Sequence, residues 1–222
     1  MSSASYLLDR KVLAAGGSDS TGNSETHDSY TRLMLHSNGT DGSTRFTDSA
    51  TAKTITANGN VQIDTAQSKF GGASALFDGA GDYLSLADND DWNFGTGNWT
   101  FDSWVRFNML YGQGGTGILD SSHGLFYQKT DGNNDMQFYS FYNGTTIFSL
   151  QEAGVSKISC RINWTPIIDT WYHIGICRYG TGENNMKIFI NGISQTLIWS
   201  TNLAANYSFP DFTGVFELGT LV

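Results

Sequence analysis

Proline and cysteine are almost missing from this 222-residue chain, at two residues each, and charged side chains make up only 15%, against about 25% in an average soluble protein. So few charges, beside 26 glycines and 14% aromatics, exclude a helical bundle or a coiled coil, whose surfaces are built from Lys and Glu. A 39% apolar share excludes a disordered chain. Basic charge is also scarce: 12 Lys and Arg face 21 Asp and Glu, for a net charge of −9. No basic face for nucleic acid is expected. No apolar run approaches the ~20 residues of a membrane-spanning helix. Asp9, Arg10 and Lys11 interrupt the apolar N-terminus, so neither a secretory signal nor a membrane partner is expected. Cys160 and Cys177 read as two reduced thiols, although their neighbouring strand patterns leave a disulfide open.

What the chain does contain is strands and turns. Residues 5–15 place Leu8, Val12 and Leu13 on one side of a short helix. Residues 16–29 are Gly, Ser, Asp, Thr and Asn, the composition of a linker or extended arm. The globular domain is expected over 30–222, with 1–29 as its N-terminal arm. Leu33 and Leu35 alternate over 32–36. Trp99–Phe107 is the clearest strand: Phe101, Ser103, Val105 and Phe107 share one face, and Asp102, Trp104 and Arg106 share the other. Further strands fit at 61–64, 74–78, 83–86, 117–119, 124–128, 136–142, 145–150, 156–163, 171–179, 186–190 and 215–218. Asn143-Gly144, the Gly180–Asn185 stretch and Asn191-Gly192 supply hairpin turns. About a dozen short strands with regular turns indicate an all-β, two-sheet antiparallel sandwich or jelly roll.

Motifs with chemistry are few. Gly112–Gly117 matches GxGxxG, but a strand-like Ile118-Leu119-Asp120 follows where a dinucleotide site needs a helix. Asp88–Asp91 and Asp131–Asp135 fail as EF-hands, lacking the glycine at loop position six and the closing Glu. Most Asp lie beside Gly, Asn or Ser, which is turn chemistry; a looser Ca2+ site of loop carboxylates and carbonyls stays open, with no metal ligands assigned. No HxH, HExxH or CxxC points to zinc. Ser121-Ser122-His123 lacks a nucleophile elbow, and His173 reads as a hydrogen-bonded structural residue. The only Glu are at 25, 152, 183 and 217. No two are near neighbours and none has Asp two residues on, so the Glu-x-Asp strand of retaining β-glucanases is absent; an Asp-based pair stays open. No catalytic residue is assigned, and the chain is not expected to be an enzyme. The six Trp are mostly core material in a sandwich. Sugar rings, however, stack on exposed Trp while Asp and Arg hold their hydroxyls, so Asp102, Trp104 and Arg106 form the candidate ligand-binding face.

The run Leu33-Met34-Leu35-His36-Ser37-Asn38-Gly39-Thr40-Asp41-Gly42-Ser43, followed by Phe46-Thr47-Asp48-Ser49, resembles the opening of LamG-like, concanavalin A-like jelly-roll domains. Ser68-Lys69-Phe70-Gly71-Gly72-Ala73-Ser74 with Leu76-Phe77-Asp78-Gly79 resembles their next motif. Further family motifs are similar to Gly81-Asp82-Tyr83-Leu84, Asn93-Phe94-Gly95-Thr96-Gly97-Asn98-Trp99-Thr100-Phe101-Asp102-Ser103-Trp104-Val105, Trp171-Tyr172-His173-Ile174-Gly175-Ile176 with Arg178, and Phe189-Ile190-Asn191-Gly192. The resemblance covers about 31–219 with the motifs in order, and its wording is most similar to members found in tailed-phage virion proteins.

The resemblance implies a jelly-roll fold and no single function. It makes a non-catalytic structural and surface-display protein of a phage virion the expectation: a fibre, decoration or adhesion module, assembled in the host cytoplasm and binding host-surface glycans. A carbohydrate-binding module outside a virion, or a polysaccharide-cleaving enzyme, are the alternatives. Two positions depart from the family pattern. Asn38 stands where the family has Asp. After Phe216-Glu217-Leu218-Gly219 the usual closing strand is not recognisable. An open sheet edge is therefore expected there, paired together with the arm to other virion chains or within a homo-oligomer.

Overall fold

The computed structural model describes residues 6–9, 29–108, 122–141 and 144–220. Fifteen strands among them form two antiparallel sheets. The seven-stranded sheet comprises β1 (Tyr6–Asp9), β3 (Gln62–Asp64), β4 (Ser74–Phe77), β6 (Trp99–Phe107), β11 (Trp171–Arg178), β12 (Met186–Ile190) and β13 (Ile193–Ser194), in the spatial order β13-β12-β11-β6-β1-β4-β3. The eight-stranded sheet comprises β2 (Ile55–Asn58), β5 (Tyr83–Leu86), β7 (Ser122–Asp131), β8 (Asn134–Phe141), β9 (Thr145–Glu152), β10 (Val155–Asn163), β14 (Ile198–Thr201) and β15 (Phe216–Leu218), in the order β14-β10-β9-β8-β7-β15-β5-β2. The expected all-β sandwich, consistent with a jelly roll, is the observed architecture.

Alternation along the strands makes the core. Val105 and Phe107 of β6, Ile174 and Ile176 of β11, and Ile188 of β12 point inward from one sheet. Phe126, Phe138, Phe148, Leu150 and Ile158 meet them from the other. Turn chemistry joins the strands as the glycines and asparagines foretell. Asn191 and Gly192 both take positive φ, 51° and 78°, between the paired Ile190 and Ile193, a two-residue turn with left-handed conformations at both positions. Gly124 is required for another reason: a Cβ there would lie 1.8 Å from the Thr220 carbonyl oxygen, so β7 passes the 219–220 backbone only without a side chain.

Four expectations need correcting. Tyr6–Asp9 is a strand, not part of a helix over 5–15. It lies inside the seven-stranded sheet, antiparallel to both β4 and β6, so these four residues belong to the sandwich rather than to an arm outside it. The remainder of 5–15, and the arm over 16–28, lie outside the described residues, as do Gly112–Gly117 and the strand expected at 117–119. The stretch 32–36 is no ladder strand and makes only one bridge, Leu35 with Asp48. Its Met34 N–H donates to the Asp48 carboxylate at 2.9 Å instead. The edge expected open at the C-terminal strand is interior, since β15 sits between β7 and β5. Cys160 and Cys177 are free. They belong to opposite sheets, and Cys160 is buried, which pushes its thiol up to about 12.

Candidate ligand-binding site

Strand β6 carries two surfaces with different chemistry. On the outer side of the sheet, Asp102, Trp104 and Arg106 lie together as the alternation requires. Register with β11 sets Gly175 opposite Asp102, His173 opposite Trp104 and Trp171 opposite Arg106. Each of the three already has partners. Asp102 Oδ1 lies 3.1 Å from His173 Nε2. Arg106 pairs with Asp169 at 2.7 Å and donates to Asn108. Lys69 Nζ sits 4.2 Å above the Trp104 ring, Phe70 meets it edge-on at 5.7 Å, and the His173 ring is 5.3 Å away. The sequence-predicted residues are thus gathered on one face, but that face is tied up within the chain. A sugar stacking over the indole would have to displace Lys69, a contact worth about 0.5–1 kcal/mol at an exposed site.

The Trp99 end of β6 is different. A cavity of about 570 Å³ opens there between the sheets. Its floor is aromatic: Trp92 stacks on Phe216 at 4.5 Å, Phe94 on Trp99 at 4.8 Å, and Phe101 lies 4.8 Å from Phe126. Its rim is polar, with Arg32, Asp90, Asp91, Asn93, Asn98 and Asp102. Asp102 thereby contributes to both surfaces. Trp99 is 9% exposed and its indole Nε1 has no hydrogen-bond partner. The atom itself is shielded from solvent and does not face the cavity, and a buried N–H left in this state costs about 1–3 kcal/mol.

Local structure holds this cavity open. Asp90–Trp92 form a single 3-10 turn capped by Asn89, whose side chain accepts from the Asp91 N–H. The acidic run 88–91 therefore works as turn chemistry. Asp48 organises the opposite wall: its carboxylate accepts from the backbone N–H groups of Met34, Ala50, Thr51 and Lys53 and from the Thr51 hydroxyl. Burial pushes this carboxyl up, but the hydrogen bonds outweigh it and hold the group below the usual carboxylate range. The segment so fixed presents Arg32 and Lys53 to Asp91, at 3.5 and 2.5 Å, with Lys53 5.2 Å above Trp92. Behind the cavity, buried Arg178 donates to the carbonyls of Gly95 and Tyr207 at 2.8 and 2.6 Å and lies against Phe209. It staples the loop that carries Phe94 to the 207–209 segment.

This arrangement suits an amphiphilic ring, with an apolar face for the floor and oxygens for the rim. About 570 Å³ falls within the usual range of small-ligand sites. Two rim carboxylates have partners within the chain, Asp91 with Arg32 and Lys53, and Asp102 with the His173 ring nitrogen at 3.1 Å. Among the described residues, no three His, Cys, Asp or Glu side chains converge to hold a metal ion. The other acidic loop, 131–135, closes the β7–β8 hairpin: Asp131 accepts from the Asn133 N–H and the Asn134 side chain.

No family model matches the chain, and no curated protein matches it. Among solved structures it is similar to one described as "Crystal structure of HCR/D W1238A mutant", at 13% identity with a TM-score of 0.49, over 79% of this chain and 45% of that one. The chain thus spans less than half the length of that protein.

Proposed function

We propose that the chain is a non-catalytic binding and display module that seats a glycan at the Trp99 end of its sandwich. The observation that supports this reading is the aromatic-floored cavity with its polar rim. A pyranose ring offers what such a site lacks: C–H groups for the stacked aromatics, and hydroxyls for Asn98, Asp90 and Asp102. Arg32 and Lys53 already bind the rim carboxylate of Asp91, which favours holding a ligand over acid–base work. The resemblance to LamG-like domains of tailed-phage virion proteins makes a fibre, decoration or adhesion module the setting of this activity, with host-surface glycans as ligands.

A glycan panel probed with the full chain tests the reading, followed by calorimetry on the hits. Asp90→Ala removes one polar group of the rim and should weaken the best ligand about 5- to 10-fold, the worth of one hydrogen bond. Trp104→Ala should leave binding within about twofold if the cavity rather than the outer face is the seat. No binding across the panel, or turnover of a bound polysaccharide, overturns the proposal.

A further inference from the structure

Among the described residues, one free edge of this sandwich lies away from the one the sequence suggests. Strands β13 and β14 are consecutive in the chain and form the terminal strands of the two sheets. Only residues 195–197 separate them. Three residues span at most about 10 Å, roughly the distance between packed sheets, so both edges face the same way. Ile193 is 68% exposed and Ile198 38% exposed, and Leu197 and Trp199 are half-buried beside them. β14 is hydrogen-bonded to β10 on one side only.

The charge pattern here is unusual. Residues 188–210 contain no Asp, Glu, Lys or Arg, 23 positions in a chain that is 15% charged. Natural edge strands are guarded by charge, proline or a covering loop. The opposite edge of the seven-stranded sheet follows that rule: the loop at 42–43 bonds to both the N–H and the C=O of Ile63 in β3, at 2.7 and 2.8 Å. Among the described residues the β13–β14 edge has no such guard.

We propose that β14, with β13 beside it, is the pairing edge of a homodimer, in which a second copy docks its own β14 antiparallel and the two eight-stranded sheets continue as one. A second copy is the occupant the charges favour. At net −9, most faces of two copies repel each other. This edge can meet itself without placing like charges opposite each other. The flanking charges on β10, Lys157 and Arg161, are both positive. They would face their counterparts only across two intervening strands, ~14 Å away, beyond the ~8 Å screening length of physiological salt. Pairing an edge with itself is closed by a two-fold axis, so assembly stops at two. The inference stands apart from glycan binding and does not need it.

Sedimentation equilibrium of the full chain between about 1 and 200 µM reads the assembly. A monomer–dimer equilibrium is expected. Ile198→Lys and Ser200→Lys, both at exposed positions, should each raise the dimer Kd at least tenfold, as like charges meet across the axis. Thr56→Lys, on the far edge strand β2, should leave it unchanged. Hydrogen exchange of the 198–201 amides should slow as concentration rises. A chain that stays monomeric throughout, open-ended aggregation in place of a dimer, or a dimer indifferent to both β14 substitutions overturns the proposal, whatever the glycan panel shows.

Discussion

The two ends of β6 are equally aromatic and do opposite things. At the Phe107 end, Phe107 is fully buried, His123 meets it edge-on at 5.3 Å, and Trp164 packs against both Phe107 and Tyr172. At the Trp99 end, stacked rings line an opening of about 570 Å³, and an indole N–H is unmatched. Aromatic content by itself therefore does not mark a binding site. What separates the ends is whether the rings fill the space.

The largest expected effect tests the packed end. Phe107→Ala removes a ring from a filled site and should cost about 3–5 kcal/mol of stability, seen as a lowered denaturation midpoint. Trp99→Phe trims a ring at a site that is already open, and it also removes an unpaired buried N–H. The two terms oppose each other, so its stability should stay within about 1 kcal/mol of the parent. If Trp99→Phe unfolds the protein as readily as Phe107→Ala, the two ends are alike and the comparison fails.

Acid should find the packed end next. His123 is 4% exposed, and burial pushes its imidazole down to about 4. The unfolded chain takes up that proton near pH 6.5, whereas the folded chain does so only near pH 4. Nothing is lost above pH 6.5. Between 6.5 and 4 the proton goes preferentially to the unfolded state, and stability should fall by about 3 kcal/mol. Burial raises Asp82 and Asp135 instead, so their protonation favours the folded state as pH falls. Comparing His123→Gln with the parent isolates the histidine. The difference between their denaturation midpoints should change across pH 4–6.5 and stay constant from 6.5 to 8; a constant difference throughout would show that His123 is not the sensor.

These contrasts also mark what could be read in advance. The two faces of β6 follow from strict alternation over nine residues, and residues 99–107 read as a strand with the observed boundaries. The turn asparagines and glycines were legible because their conformations are local. Tyr6–Asp9 was not. Leu8, Val12 and Leu13 fit a helical spacing, and a four-residue strand exists only because β4 and β6 flank it. The stretch 32–36 misled for a similar reason, since the partner of Met34 is a carboxylate 14 positions away. The cavity draws its lining from residues as far apart as Arg32, Asp91, Trp99, Phe126 and Phe216. Such a convergence is a property that only the fold creates. Asp102, Trp104 and Arg106 were found by residue type, but type does not reveal that Lys69, His173 and Asp169 already occupy them.

Affinity at the open end follows in size. The five- to tenfold loss expected for Asp90→Ala, about 1–1.4 kcal/mol, should have no counterpart in a packed-end variant that still folds. Phe107→Leu, measured by calorimetry below its unfolding range, should bind the same glycan within about twofold. Equal losses in both would mean that the ligand reads the core as a whole and not one end of it.

The smallest effect belongs to the outer face, where the chain supplies its own partners. His173→Gln removes one side of the Asp102–His173 contact, a pair with side chains 31% and 19% exposed. A pair this open to water is worth less than about 1 kcal/mol, and less still in high salt. Glutamine can still donate to Asp102, so the change in denaturation midpoint should be near the limit of measurement. Glycan affinity is the sharper readout. Asp102 also lines the cavity, and loosening its tie to β11 frees its carboxylate to turn toward the rim. A modest gain in affinity with no change in stability would identify Asp102 as the one residue that the two sides of β6 share. A loss would mean that His173 holds Asp102 in its binding orientation. No change in either quantity would separate the outer face from the cavity entirely, leaving Trp99 alone to define the open end.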